Sequence, residues 1–175
     1  MSTIWYFAYG SNLQSATLRG RRGIEVFRSV AVRAPGWRLV FDKPGLLGHA
    51  AFANIVAEKG SAVLGAAFEI TVDDHAHVEL TEGVAIGNYR RVELAIEPLD
   101  ASLPSAPATA LSLSSDKRDP SLLPTTRYLG LVIEGAIEHG LPAPWVGSLR
   151  AVPAREETEE ERAFRSVVDE AIRRR

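Results

Sequence analysis

The first half of the chain consists of short segments in which hydrophobic and polar residues alternate, which is the period of a β-strand. We predict strands at residues 4–7, 27–33, 37–41, 50–57, 61–70, 88–98 and 109–114. Pro35-Gly36 is expected to form a turn, and Glu58-Lys59-Gly60 the turn of a hairpin, because proline and glycine favour turns. Residues 99–108, which are rich in Pro, Ala and Ser, are expected to form a loop.

In the last third, hydrophobic residues recur at intervals of three and four, which is the period of an amphipathic helix. Three helices are predicted here, from Thr125 or Thr126 to His139, at 144–151 and at 156–175, and two short ones are predicted earlier, at 13–19 and 71–81. The helix that ends at His139 has the apolar stripe Leu129, Val132, Ile133, Ala136 and Ile137, and the helix 156–175 has the stripe Phe164, Val167, Val168, Ala171 and Ile172. Strands followed by helices, without regular alternation, indicate an α+β fold.

Length, composition and charge exclude several classes of protein. The 175 residues are 46% hydrophobic and 24% charged, as expected of one soluble domain, and the net charge of −2 gives no general attraction to nucleic acid or acidic membranes. Cysteine is absent, so the chain has no disulfide, thiol nucleophile or thiolate metal site. The N-terminal apolar run is too short for a signal peptide, and no run reaches the roughly 20 residues of a spanning helix. We therefore expect a cytoplasmic protein.

The stretch Tyr6-Phe7-Ala8-Tyr9-Gly10-Ser11-Asn12-Leu13 is the first candidate for chemistry. A β-forming run ends at Gly10, which tolerates unusual backbone angles, and Ser11 and Asn12 favour turns and helix starts. A strand that enters a glycine turn and a helix leaves main-chain N–H groups that can bind an anion. A plain structural turn is the alternative reading of the same spacing.

Glu82 is the second candidate. It lies at the C-terminal end of the predicted helix 71–81, where the helix dipole disfavours a carboxylate. Glu79 lies three residues earlier on nearly the same face, and two close carboxylates can raise one another's pKa. The residues alone leave open that both are simply exposed at a frayed helix end.

Other charged clusters are interpreted as structural. In the Asp73-Asp74-His75-Ala76-His77 run, the two histidines point to different helix faces, whereas metal-binding pairs are spaced i, i+4, so no metal site is predicted. The four arginines between Arg19 and Arg28 are expected on a solvated face. Tyr89, Tyr128 and Trp145 can line a pocket or pack in the core.

Four separated pieces of the sequence, taken together and in order, resemble the γ-glutamyl cyclotransferase family. They are Tyr6–Leu13; Ala53-Asn54-Ile55 with Gly60 and Val63-Leu64-Gly65; Glu82-Gly83-Val84 with Tyr89; and Pro124-Thr125-Thr126-Arg127-Tyr128 with Gly135-Ala136 and Gly140-Leu141-Pro142. Two positions depart from the family's usual residues, since Glu79 stands where the family often has Asp and Thr125 where it often has Ser.

The resemblance implies a fold and a reaction. The fold would be a small mixed β-barrel with packed helices over residues 1–155, with the helix 156–175 packed on the same domain. The reaction would be the attack of a γ-glutamyl α-amine on its own γ-carbonyl, which releases 5-oxoproline and an amine without metal or cofactor. The family's catalytic glutamate corresponds to Glu82. The expected substrate-binding residues are Tyr9, Gly10, Ser11, Asn12, Leu13, Tyr89 and Tyr128.

Several alternatives stay open. The same pocket can bind a small acid without turnover, and the leaving group can be an amino acid, an amine or a γ-glutamylated biosynthetic intermediate. The glutathione-directed branch ranks lower, because Asn12-Leu13 stands where that branch has an aromatic residue. A nucleic-acid-binding role would depend on Arg19 to Arg28 alone, and none is expected. The oligomeric state is open between monomer and homodimer.

Overall fold

One curled sheet of six strands carries the fold in the computed structural model of the chain, which describes residues 2–100 and 107–171. The strands are β1 (Thr3–Ala8), β2 (Arg28–Pro44), β3 (Ala51–Thr71), β4 (Arg90–Ala95), β5 (Glu97–Pro98) and β6 (Thr109–Ser114). Their order across the sheet is β4-β6-β1-β3-β2-β5, and β1 pairs antiparallel with β3 and parallel with β6. The α+β prediction is confirmed, with the sheet forming a half-barrel. The predicted loop at 99–108 lies largely outside the described residues.

The described residues form four α-helices in addition to the sheet. They are α1 (Val72–Thr81), α2 (Thr126–Glu138), α3 (Ala143–Arg150) and α4 (Glu159–Ala171). The predicted cap of α1 is confirmed, because the Thr71 hydroxyl accepts a hydrogen bond from the Asp74 N–H at 2.9 Å. Thr125 caps α2 in the same way, accepting from the Tyr128 N–H at 3.1 Å. No helix in the described ranges is long and apolar enough to cross a membrane.

The two turns predicted inside the first half are wrong, because both sites lie within continuous strands. Pro35 pairs with Ala62 and Trp37 with Ala57, so Gly36 faces the extra residues 58–61 in a large β-bulge. Gly36 has a φ of +81° and Gly60 one of +89°, which explains the glycines that the sequence pattern presented as turn signals. The true hairpin connection is the glycine-containing segment 45–50 between β2 and β3.

Three further sequence predictions are corrected by the packing. The helix expected at 13–19 is a 3₁₀ turn at Ser11–Leu13 followed by a π-helical segment at Ala16–Arg21. Ile137 is 53% exposed and Val167 is 67% exposed, so neither belongs to the buried stripe of its helix. Leu129, Val132 and Ala136 are buried as expected. Ile172 lies outside the described residues.

Gly135 allows α2 to approach the 3₁₀ turn at Ser11–Leu13. A Cβ at this position would lie 2.6 Å from the Gln14 nitrogen and 2.6 Å from the Leu13 carbonyl carbon, whereas a Cβ at Gly130 on the same helix would meet nothing within 4 Å. We expect Gly135→Ala to lower the free energy of unfolding by about 1–3 kcal/mol, because main-chain atoms must shift. Gly130→Ala should raise it by about 0.5–1 kcal/mol. Urea unfolding of the two variants tests this, and similar effects at both sites would contradict the close approach.

Candidate active site

A cavity of about 240 Å³ lies at one end of the sheet, beneath α4. Its floor includes residues from the end of β1, the 3₁₀ turn that follows, and the C-terminal end of α1. The sequence-predicted residues Tyr9, Gly10, Ser11, Asn12, Glu82, Tyr89 and Tyr128 all line it. Residues that are more than 100 positions apart in the sequence therefore meet in one cavity.

Glu82 follows the last turn of α1 and turns its carboxylate toward the 3₁₀ turn. Gly83, the next residue, has a φ of +73° and ends the helix in the left-handed conformation. The Glu82 side chain is 21% exposed, and its Oε1 accepts a hydrogen bond from Asn12 Nδ2 at 3.3 Å. The acidic group and the glycine turn thus face each other across a shared cavity.

Arg22 is a central residue of the site that the sequence interpretation missed. Its guanidinium is buried and donates hydrogen bonds to the Glu82 carboxylate, the Thr81 hydroxyl and, at 2.8 Å, to Asn12 Oδ1. The expectation that the arginines between Arg19 and Arg28 form a solvated face is wrong here, because three acceptors converge on this one position. Arg22 holds Glu82 and Asn12 in a fixed relative orientation.

Four tyrosines surround the floor of the cavity. Tyr6 accepts a hydrogen bond from Asn12 Nδ2 at 3.0 Å, and Tyr9 donates to the Leu113 carbonyl at 2.6 Å. Tyr89 donates to the Ala53 carbonyl at 3.1 Å, and the Tyr128 hydroxyl accepts from the Ala53 N–H at 3.1 Å. These bonds fix the rings as rigid walls.

Gly10 is closely packed within this ring of tyrosines, so a side chain there would require its neighbours to shift by a few tenths of an ångström. A Cβ there would lie 3.1 Å from the Tyr128 hydroxyl and 3.3 Å from the Ala53 Cβ.

Burial raises the pKa of Tyr128 to about 12, opposed by hydrogen bonds from the main-chain N–H groups of Ala53 and Ser11. Burial also raises the pKa of Tyr6, Tyr9 and Tyr89, so the phenols are neutral hydrogen-bonding groups at physiological pH.

Two residues considered from the sequence lie away from the cavity. Leu13 packs in the core with 1% of its surface exposed, and its N–H closes the turn by bonding to the Gly10 carbonyl at 3.0 Å. Glu79 forms a two-pronged ion pair with Arg91, at 2.5 and 2.6 Å, and this hydrogen bonding lowers the pKa of Glu79. Glu79 and Glu82 therefore do not form an acid pair. Within residues 2–100 and 107–171, no cluster of three or more His, Asp or Glu side chains could hold a metal.

Lys43 adds an ammonium group to the lining of the cavity. The residue is 2% exposed, its Nζ donates to Asn88 Oδ1 at 2.5 Å and to the Pro44 carbonyl at 2.6 Å, and it lies 4.9 Å from the centre of the Tyr89 ring. Burial lowers the pKa of Lys43 to about 8, partly opposed by the negative charge of Glu82. No motif in the sequence indicated this cation.

The lowered pKa of Lys43 gives a testable pH dependence. Between pH 8 and 10.5 the folded chain has lost this proton while the unfolded chain still holds it. The stability of the native protein should therefore rise with pH over that window, relative to Lys43→Met, in which the group is absent. NMR titration of the Lys43 ammonium should give a midpoint near 8, with the exposed Lys59 as control. A Lys43 midpoint equal to that of Lys59 would contradict the burial.

α4 forms the outer wall of the cavity. Its residues Phe164, Arg165, Val168 and Asp169 line the space opposite α2. Arg21 pairs with Asp169 at 3.0 Å, and Arg155 pairs with Glu161 at 2.5 Å, so both ends of the helix are held by ion pairs. The division into a domain at 1–155 and a packed helix at 156–175 stays a prediction, because residues 172–175 lie outside the described ranges.

Residues 62–149 match the AIG2-like family. The chain belongs to this family. The match covers half of the chain, including Glu82, Tyr89 and Tyr128.

The predicted γ-glutamyl cyclotransferase-like membership is confirmed by similar proteins. The chain is 33% identical over 166 residues to γ-glutamyl cyclotransferase aclK of Aspergillus oryzae. The aligned region covers 84% of this chain and 60% of the length of that protein. The chain is 28% identical over 151 residues to γ-glutamylcyclotransferase of Bos taurus, covering 84% and 77%. A solved γ-glutamyl cyclotransferase structure superposes with a TM-score of 0.78 at 22% identity, over 95% of this chain and 99% of that one, and shows the shared fold.

Proposed function

We propose that this chain is a γ-glutamyl cyclotransferase in which Glu82 is the general acid and base. The single observation that carries the proposal is that the Glu82 carboxylate and the Gly10-Ser11-Asn12 turn line one cavity, joined by the contact from Asn12 to Glu82. A carboxylate opposite a turn rich in main-chain N–H groups suits a reaction that moves a proton while negative charge develops on an oxygen.

The substrate itself supplies the nucleophile. The neutral α-amine of the γ-glutamyl group attacks the γ-carbonyl carbon, and a five-membered lactam, 5-oxoproline, forms as the original C–N bond breaks. Glu82 takes the proton that the attacking nitrogen sheds and returns one to the leaving nitrogen, so no water or cofactor enters the balance. Holding the substrate curled can contribute roughly 7–11 kcal/mol to lowering the barrier.

The residues around Glu82 would divide the other tasks. The main-chain N–H groups of Gly10 and Asn12 would stabilise the oxyanion, and the Lys43 ammonium would attract the α-carboxylate. Tyr9, Tyr89 and Tyr128 would confine the chain of the γ-glutamyl group. Arg22 would keep the Glu82 carboxylate directed at the reacting nitrogen rather than at solvent.

The test is to incubate the purified chain with a panel of γ-glutamyl amides that carry amino acids and simple amines, and to follow 5-oxoproline by mass spectrometry. Release of 5-oxoproline together with an equal amount of free amine is the expected result. Binding of γ-glutamyl compounds by calorimetry, without release from any panel member, would favour the non-catalytic alternative. If the chain neither bound nor cleaved any compound of the panel, the proposal would be overturned.

A further inference from the structure

The cavity continues outward from Glu82 into a space that the γ-glutamyl group does not need. We call this space the outer compartment; it lies between α4, the first two turns of α2 and the 45–50 segment. Its walls are largely apolar and are formed by Leu46, Leu47, Leu131, Phe164 and Val168. Because the γ-glutamyl group must reach Glu82 and the Gly10 turn, whatever is bonded to the leaving nitrogen extends into this compartment.

The outer compartment has fixed boundaries. Arg155 joins three of them, because its side chain binds Glu161 of α4 and the His49 carbonyl at 2.6 Å, while its own carbonyl accepts the Thr126 N–H at 2.8 Å. At the other end of α4, Asp169 pairs with Arg21. The compartment is therefore preformed, and a preformed apolar space favours ligands that fill it.

Among the described residues, Arg127 is a cation of the outer compartment that has no carboxylate partner. Arg21 pairs with Asp169, Arg22 with Glu82 and Arg165 with Glu157, whereas Arg127 forms no ion pair or side-chain hydrogen bond with any residue in the described ranges. Arg127 also lies in the first turn of α2, where the helix dipole disfavours positive charge. Burial lowers the pKa of Arg21, Asp169 opposes this, and the positive charges of Arg22 and Arg127 lower the pKa further. An anion bound in the compartment would relieve this repulsion.

We infer that the outer compartment is the leaving-group site, with Phe164 and Val168 binding an apolar side chain and Arg127 binding a carboxylate. The inference rests on the proposed function and narrows its substrate class. The preferred substrates are γ-glutamyl derivatives of amino acids with large apolar side chains. Amides that lack the apolar group or the carboxylate are poorer substrates, because each lacks one of the two contacts.

Four substrates separate the two contacts: γ-glutamylphenylalanine, γ-glutamylglycine, γ-glutamylphenethylamide and γ-glutamylmethylamide. We expect kcat/KM to be at least about 10-fold higher for γ-glutamylphenylalanine than for γ-glutamylglycine, and for γ-glutamylphenethylamide than for γ-glutamylmethylamide, because of the phenyl group. We also expect it to be at least about 10-fold higher for each of the two compounds with a carboxylate on the leaving group than for the amide of matching size that lacks it. Phe164→Ala should reduce the phenyl advantage and keep the carboxylate advantage. Arg127→Met should reduce the carboxylate advantage and keep the phenyl advantage.

Matched controls come from the same elements. Val167→Ala changes an exposed residue next to Val168 on α4, and Arg150→Met removes an exposed guanidinium at the end of α3; both should keep the wild-type substrate ratios. Because ratios between substrates are compared, loss of folded protein in a variant cannot imitate the expected pattern. Equal kcat/KM for all four substrates, or variants that lower all four equally, would overturn the inference while the proposed function stands. Absence of 5-oxoproline from all four would instead overturn the proposed function, and the inference with it.

Discussion

Glu82→Gln is expected to lower kcat/KM for a γ-glutamyl substrate by about 10²–10⁴-fold, since the neutral amide cannot accept and return a proton. The amide oxygen can still accept hydrogen bonds from Arg22 and Asn12, so the fold should persist. Steady-state release of 5-oxoproline measures the effect, and a thermal melt of the same sample shows how much of the protein is folded.

Glu79→Gln is the matched control for this substitution. Glu79 lies on the same helix, three residues before Glu82, and its carboxylate pairs with Arg91 outside the cavity. Its neutralisation should change kcat/KM by no more than a few-fold. Activity of folded Glu82→Gln within 10-fold of wild type would remove Glu82 from the proposed mechanism, and equal losses in the two variants would indicate a general structural effect.

Arg22→Met should give the largest loss of stability among the charged-residue variants. The substitution leaves the Glu82 carboxylate, Thr81 and Asn12 without their shared donor, and breaking such a buried pair costs about 3–5 kcal/mol. For a chain of this length the expected fall in Tm is about 6–20 °C. Differential scanning calorimetry gives the measurement.

Two further arginine variants distinguish charge from geometry. Arg19→Met, in the same segment but exposed, should change the free energy of unfolding by no more than about 0.5 kcal/mol. Arg22→Lys keeps the charge but lacks the planar group that reaches three acceptors, so its stability should lie between wild type and Arg22→Met. If Arg22→Met melted at the same temperature as Arg19→Met, the network described around Glu82 would not be present in solution.

The sequence predicted the parts of the candidate site that have local signals. The strand, glycine and turn residues at Tyr6–Leu13 form a recognisable unit, and Glu82 stands out because a helix disfavours a carboxylate at its C-terminal end. Their meeting in one cavity followed from the family resemblance. The α+β class likewise followed from the change of hydrophobic period along the chain.

What the sequence did not predict depends on contacts between distant segments. Arg22 looks like its exposed neighbours until Thr81 and Glu82, some 60 residues later, provide its acceptors. Gly36 and Gly60 have the composition of turns, and only their position opposite each other in the β2–β3 ladder makes them a bulge. Lys43 follows Phe41 across a β-bulge at Asp42, so the alternation of Trp37, Leu39 and Phe41 does not carry through to it and gave no signal that its side chain is buried.

The attachment of α4 has a consequence for how relatives of this chain can diverge. The groups proposed to move protons belong to the first 90 residues, whereas Phe164 and Val168 belong to a terminal helix held at its two ends by Glu161 and Asp169. Under the proposed function, exchange of that helix during evolution would alter which amine is accepted, while the proposed proton-transfer residues are inherited unchanged. Descendants of one ancestral enzyme could therefore acquire new substrates through their C-terminal segments alone.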